Sequence, residues 1–191
     1  MSEFSQEVVD LMESASQLKR VADHNYTKGQ YLKAIETYSL TLDALKVLRG
    51  SSIGEFIAIK VLANQANAYL KTNEFESAID AVLLALTVPS LVHDIHMSAK
   101  LRHRLALALA ATDRLPDALD TVDRAISLGE TSMLPQLDEL REEFITAITA
   151  VTIHPIKSRP IPFTPAEIGA AISTMFECKG DLDTILPILT R

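Results

Sequence analysis

The order of apolar and polar residues along the chain predicts helices over most of its length. Small and apolar residues recur at the three- and four-residue intervals of an amphipathic helix, and turn residues interrupt them at regular places. The pattern predicts three pairs of helices, at about residues 15–28 and 31–48, 54–72 and 75–87, and 92–112 and 115–128. Gly129 ends the last of these, and residues 4–12 form either a separate short helix or a lead-in to the first.

A further amphipathic helix is predicted at about residues 133–151. One apolar stripe runs along it, formed by Leu134, Leu137, Leu140, Phe144, Ile145 and Ile148. A stack of helical hairpins needs a final helix to cover its last apolar face, and this helix is expected to fill that role.

The three pairs share a repeated pattern. Each repeat begins with a small residue, followed by a turn residue seven positions later, a large apolar residue nine positions later and an alanine twelve positions later. The small residues are Ala22, Ala66 and Ala106, the turn residues Gly29, Asn73 and Asp113, the large residues Tyr31, Phe75 and Leu115, and the second alanines Ala34, Ala78 and Ala118; Tyr38, Val82 and Val122 follow four positions later. Small residues let two helices approach closely, and Gly, Asn and Asp tolerate the left-handed conformation that ends a helix, so each repeat predicts a helical hairpin.

This pattern resembles the tetratricopeptide repeat over roughly residues 14–128. The resemblance implies an all-α fold, a right-handed superhelix of three helix-turn-helix hairpins with a long capping helix and a C-terminal helical appendage. The repeat spacing departs from the usual 34 residues, because Ala34 and Ala78 are 44 residues apart and Ala78 and Ala118 are 40 apart. The additional residues lie between hairpins, near residues 49–52 and 88–90. We interpret them as lengthened helices plus longer loops, which leave the hairpins intact.

The C-terminal part of the chain changes in character. Residues 1–151 are predicted to form the repeat domain with its capping helix, residues 152–165 a proline-rich linker, and residues 166–191 a short helical segment ending its main helix near Cys178. Thr164, Pro165 and Glu167 form a helix-start pattern. Arg159, Pro162 and Pro165 also match the spacing of ligands for Src-homology-3 domains, although the helix start explains Pro165 better.

Composition and charge exclude several classes of function. Lys and Arg total 18 against 25 Asp and Glu, a net charge of −7, which argues against nucleic-acid binding. Cys178 is the single cysteine, so neither an internal disulfide nor a cysteine-rich zinc site is possible within one chain. The N-terminus lacks the basic and apolar regions of a signal peptide, and apolar runs are too short to span a membrane. We therefore expect a soluble cytoplasmic protein.

No catalytic motif, phosphate-binding glycine loop or metal-ligand pattern stands out, so we predict no enzyme activity, no cofactor and no metal. His93, His96 and His103 are spaced by three and seven residues and could share a helical face, with Asp94 as the nearest carboxylate. We expect these histidines to face solvent or line a groove rather than bind a metal.

The tetratricopeptide resemblance implies a concave groove lined by the first helix of each hairpin. The expected groove residues are Lys19, Asp23, Tyr26, Lys60, Asn64, Asn67, Leu70, Lys71, Lys100, His103, Arg104 and Leu107. Five of them are cations and one, Asp23, is an acid, so the groove is expected to attract anionic peptides.

Some tetratricopeptide domains bind the Glu-Glu-Val-Asp tails of heat-shock chaperones with a five-residue carboxylate clamp. The resemblance assigns those five positions to Lys19, Asp23, Asn64, Lys100 and Arg104, of which four have the expected residue type. Asp23 replaces an asparagine, and an ionised carboxylate accepts but cannot donate, so it would repel a terminal carboxylate or pair with Lys19 one turn away.

The predicted peptide-binding residues are Lys19, Asp23, Asn64, Lys71, Lys100 and Arg104. Their partner is expected to be the acidic peptide tail of another protein, with a heat-shock chaperone as one candidate and no role for nucleic acid or a membrane. The alternative is a scaffold or dedicated chaperone whose groove holds a different partner or its own C-terminal segment. An enzyme is a third and weaker interpretation.

Overall fold

The structure is a computed structural model that describes residues 6–48 and 50–153. The chain divides into two compact units, residues 1–149 and 150–191, and the description below concerns the first. The described residues contain seven α-helices and no β-strand: α1 (Gln6–Thr27), α2 (Tyr31–Leu45), α3 (Ser52–Lys71), α4 (Phe75–Leu86), α5 (Ile95–Ala111), α6 (Leu115–Ser127) and α7 (Leu134–Ile153). Helices α1 to α6 pack in consecutive pairs, which confirms the three predicted hairpins.

Each hairpin turns at the residue that the repeat predicts. The backbone of Gly29, Asn73 and Asp113 has φ values of 73°, 60° and 59°, all in the left-handed region. The next residue of each turn donates its backbone N–H to a carbonyl five residues earlier, as Gln30 does to Asn25 at 2.9 Å. This hydrogen bond satisfies a carbonyl that the end of the helix would otherwise leave free.

The repeated alanines form the contacts inside the hairpins. All six, in the first helices (Ala22, Ala66, Ala106) and in the second (Ala34, Ala78, Ala118), are fully buried. Tyr38, Val82 and Val122, one turn after the second alanines, are also fully buried. Side chains this small let the helix backbones approach closely, as the sequence pattern predicts.

Short 3-10 helices at Lys46–Leu48 and Pro89–His93 join the hairpins and hold part of the additional spacing between repeats. The long first helices hold another part, since α3 has 20 residues and α5 has 17. Gly54, in the first turn of α3, lies against the first of them: a Cβ atom there would be 2.7 Å from the backbone oxygen of Leu48. Asp94 caps α5, because its side chain accepts the backbone N–H of Met97 at 2.8 Å. Helix α5 therefore begins at Ile95, three residues after the predicted start.

Helix α7 covers the third hairpin. Leu137, Leu140 and Phe144 are buried in the same apolar cluster as Ala118 and Val122 of α6. Arg141 of α7 also pairs with Asp123 of α6 at 2.7 Å. Residues 6–12 belong to α1, so the N-terminal segment is a lead-in rather than a separate helix. The predicted linker, the Arg159 motif and the last helix lie outside the described residues.

Candidate functional site

The candidate site is the face shared by α1, α3 and α5, here called the groove face. Helix α1 contributes Lys19 and Asp23, α3 contributes Asn64, and α5 contributes Lys100 and Arg104. Side chains from α1 and α3 reach one another across this face, as the hydrogen bonds of Asn64 with Asp23 and of Asn67 with Tyr26 show.

Asp23 is the centre of a hydrogen-bond network on the groove face. Its Oδ2 atom accepts from the Lys19 ammonium at 2.6 Å. Its Oδ1 atom accepts from the Tyr38 hydroxyl at 2.6 Å and from the Asn64 side-chain amide at 3.0 Å. One carboxylate therefore joins α1, α2 and α3, and the predicted pairing of Lys19 with Asp23 is present.

The network also sets the charge of Asp23. Partial burial disfavours the ionised form, but hydrogen bonds from Lys19, Tyr38 and Asn64, together with the Lys19 charge, outweigh it and lower the pKa of the Asp23 carboxyl. Burial and the hydrogen bond to Asp23 raise the pKa of the Tyr38 phenol, so Tyr38 stays a donor at neutral pH. The groove face thus contains a fixed negative charge with three donors directed at it.

The sequence indicates that Tyr38 needs a polar partner, although the prediction of site residues does not use this. The equivalent positions in the second and third repeats are Val82 and Val122, which are aliphatic. A phenol in place of an aliphatic side chain on a buried helix face needs a hydrogen-bond partner, and Asp23 is that partner.

A cleft of about 190 Å³ lies beside Asp23. Tyr26 and Asn67 form its other side, and the Asn67 amide donates to the Tyr26 hydroxyl at 2.6 Å. The Tyr26 ring meets the Tyr31 ring edge to face with centroids 5.3 Å apart, which fixes its position. The cleft therefore offers phenol and amide groups next to one carboxylate.

Arg104 is held more firmly than an exposed groove cation. Its Nη1 atom donates to the backbone carbonyl of Ala63 at 2.5 Å, which links α5 to α3. Burial lowers the pKa of the Arg104 guanidinium, while Tyr26 and Tyr38 act in the opposite direction. Burial and the neighbouring Arg104 charge lower the pKa of His103. Arg104 is therefore partly buried, and its guanidinium already has a main-chain partner.

The remaining groove cations are more accessible. Lys71 is exposed and Lys100 is half-buried, and neither forms an ion pair within residues 6–48 and 50–153. The Lys60 ammonium lies 3.8 Å from the centre of the Phe56 ring, a cation–π contact. These lysines keep positive charge available on the groove face.

The histidines do not form a shared site. His93 belongs to the 3-10 helix before α5 rather than to α5, so the three histidines do not share one helical face. His96 lies 3.7 Å from the Glu130 carboxylate. Across the described part of the chain, no group of three His, Cys, Asp or Glu side chains is placed to hold a metal ion. None of the described helices combines the length and apolar character needed to cross a bilayer.

Comparison with known proteins identifies the fold. No protein-family model matches the sequence, and the search of curated proteins gives no match. Among solved structures, the chain is similar to the C-terminal tetratricopeptide-repeat-containing domain of a Plasmodium falciparum FK506-binding protein. The two share 18% sequence identity with a TM-score of 0.64, over 78% of this chain and 97% of that domain. The chain therefore has the fold of a tetratricopeptide-repeat domain.

Proposed function

We propose that the protein is a non-catalytic adaptor that binds an acidic segment of a partner protein on its groove face. Stacked helical hairpins present extended concave surfaces of the kind that bind peptides. The observation that carries the proposal is the arrangement of charge: Lys71 and Lys100 have no carboxylate partner in the described chain, while Asp23 is already satisfied by its own donors.

The same arrangement favours acidic side chains over a terminal carboxylate. Lys19 and Asn64 are two of the positions that the carboxylate clamp would use, and both donate to Asp23. A chain terminus placed there would compete with an internal carboxylate for the same donors and would be repelled by its charge. Acidic side chains placed toward Lys71 and Lys100 avoid that competition.

Binding of a heat-shock chaperone tail is the second candidate. The observation that favours it is that Lys19 and Asn64 do converge on a carboxylate, although that carboxylate belongs to Asp23. The geometry suited to a bound terminus is therefore partly built, and Asp23 occupies it. The similarity to the FK506-binding protein domain supports the fold and says nothing about the ligand of this chain.

Calorimetry with two peptides tests the proposal. A Glu-Glu-Val-Asp peptide with a free C-terminus and its C-terminal amide have the same acidic side chains and differ in the terminal carboxylate. We expect both to bind with similar affinity and to weaken as salt increases, because partly exposed charges attract them. Binding of the free acid alone would favour the chaperone-tail function, and binding of neither would contradict an acid-binding groove.

A further inference from the structure

A second candidate surface lies at the edge of the first unit where successive hairpins join. Between the end of α4 and the start of α5, a cleft of about 270 Å³ is lined by Leu86, Val88, Leu91, Ile95, Arg102 and Leu128. We call this the connector cleft. Val88 also lines a second apolar cleft of about 330 Å³ beside the 3-10 helix Lys46–Leu48, so the two clefts adjoin.

Exposed aliphatic side chains surround these clefts. Val92 is 78% exposed and Ile95 47% exposed at the connector cleft, and Leu84, at the second cleft, is 56% exposed. Single exposed aliphatic residues are common on protein surfaces, but several beside adjoining apolar clefts mark an interaction site. This surface is separate from the groove face, since Lys71 and Lys100 line neither cleft.

Arg102 gives the connector cleft a charge without a partner. Its Nε atom is buried and has no hydrogen-bond partner, and within the described residues its guanidinium forms no ion pair. Burial and the nearby charge of Arg124 lower the pKa of Arg102. Arg124 itself pairs with Asp120 at 2.9 Å, so Arg102 is the uncompensated cation of the two. A partly buried cation without an anion is unfavourable, and a carboxylate ligand would relieve it.

The neighbouring 3-10 helix carries a second polar group of the same kind. The Ser90 hydroxyl is buried without a hydrogen-bond partner, and Ser90 precedes Leu91 and Val92, which line the connector cleft. Buried polar side-chain atoms are usually hydrogen-bonded. Ser90 itself lines neither cleft, so the inference that the ligand carries an acceptor rests on Arg102, which does line the connector cleft.

We propose that the connector cleft binds a segment of a partner protein in which an aliphatic side chain enters the cleft and an adjacent Asp or Glu carboxylate pairs with Arg102. The planar guanidinium suits a carboxylate because it presents parallel N–H donors. A peptide fits better than an isolated small ligand, because exposed Val92 and Ile95 flank the connector cleft and Val88 lines both clefts.

An NMR titration of the full chain with two short peptides tests this site. The probes are acetyl-Ser-Leu-Glu-Ile-Ser-amide and the same peptide with Gln in place of Glu, both blocked so that the side chain is the only possible carboxylate. The Glu peptide is expected to shift backbone amide signals within residues 86–102 and at Leu128. The Gln peptide is expected to bind about fivefold more weakly, because it lacks the charge-assisted hydrogen bond to Arg102. Partial exposure of Arg102 keeps this difference small.

Variants separate the role of Arg102 from general charge and from folding. Arg102→Leu is expected to remove the preference for Glu over Gln while keeping or raising the melting temperature, because it replaces an unpaired, partly buried cation. Arg102→Lys keeps the charge but loses the planar donor pair, so an intermediate preference is expected. Arg114→Gln removes the same charge at the turn between α5 and α6 and is expected to leave binding unchanged.

Three outcomes would overturn the proposal. Equal affinity of the wild-type protein for the two peptides would show that Arg102 does not bind the Glu carboxylate. Signal shifts confined to the groove face would place the peptide elsewhere. Self-association in sedimentation that Arg102→Leu abolishes would make a second copy of the chain the occupant instead of a partner peptide.

Discussion

In the proposed function, Asp23 is the residue whose charge decides what the groove face accepts. Its carboxylate takes hydrogen bonds from Lys19, Tyr38 and Asn64, on three different helices. Because two of those donors are ones that a terminal carboxylate would need, the side chain controls selectivity without itself having to contact a ligand.

Asp23→Asn is expected to improve binding of a free Glu-Glu-Val-Asp peptide by roughly 1 kcal/mol, about fivefold in affinity, because it removes repulsion and frees Lys19. The amidated peptide, which lacks the terminal carboxylate, is expected to show no such gain. Calorimetry at low salt measures both. Asp43→Asn, which removes an exposed carboxylate from α2, serves as the control. A gain for both peptides would mean that only the net charge had changed.

Acid stability offers an independent measure of the same network. The pKa of Asp23 is lower in the folded protein than its ordinary value of 3.8, so the folded state favours the ionised form. Its contribution is fully present above the unfolded pKa and is lost as pH falls through the folded pKa. Between pH 5 and about pH 2, the free energy of unfolding is therefore expected to fall less steeply for Asp23→Asn than for the wild type, as measured by chemical unfolding. Equal slopes would contradict the depressed pKa.

Single residues differ in how far the sequence could predict them. The pairing of Lys19 with Asp23 follows from their spacing of one helical turn, and it is present. The contact of Arg104 with the Ala63 carbonyl depends on how α5 lies against α3, which no local pattern encodes. The unpaired Arg102 is likewise a product of tertiary packing.

At the scale of elements, the joint between the first two hairpins depends on Gly54. Alanine there gains about 1 kcal/mol of helix propensity, but its Cβ would lie 2.7 Å from the Leu48 backbone oxygen. Overpacking of this kind typically costs about 1–3 kcal/mol, so Gly54→Ala is expected to destabilise the protein overall. Denaturant unfolding measures it, with Ser52→Ala, exposed in the same helical turn, as the control. A stabilised Gly54→Ala variant would show that the joint can relax.

The second hairpin depends on a small residue in the same way. Ala78 is fully buried where α4 packs on α3, and Ala78→Leu is expected to cost about 1–3 kcal/mol through overpacking. Thermal unfolding measures this, and a lower melting temperature is expected for the variant. Leucine at Glu76, an exposed position of α4, is the control, and an unchanged melting temperature for Ala78→Leu would contradict the hairpin contact.

The repeat pattern predicted helices α1 to α6, because the turn residues and buried alanines are local signals, and the apolar stripe predicted α7. Their bounds agree to within three residues, except that α1 begins at Gln6, nine residues before the predicted start. The repeat pattern did not predict the 3-10 helices Lys46–Leu48 and Pro89–His93. Those segments have no helical period, and their conformation follows from packing, as the close fit of Leu48 against Gly54 shows.

At the scale of the whole molecule, a net charge of −7 coexists with two lysines, Lys71 and Lys100, that form no ion pair within residues 6–48 and 50–153. Lys71→Ala and Lys100→Ala are each expected to weaken the binding of an acidic peptide by about two- to fivefold, as for exposed ion pairs. Each is also expected to reduce the salt dependence of that binding. Titrations at two salt concentrations measure this. Lys33→Ala, on the exposed side of α2, is the control, and an equal loss in that variant would point to overall charge.

The chain length is constant around the turns of the hairpins and variable in the rest of each repeat. Inside each hairpin, the alanine-to-alanine interval is fixed at twelve residues by the left-handed turns at Gly29, Asn73 and Asp113. The length of the whole repeat varies, with 44 residues from Ala34 to Ala78 and 40 from Ala78 to Ala118, and the surplus is held partly in the 3-10 turns and partly in the long first helices. Insertions and deletions in the 3-10 turns can reshape the connector cleft while the groove face keeps its register. The two proposed surfaces can therefore diverge independently in evolution, and a change in one proposed partner need not alter the other.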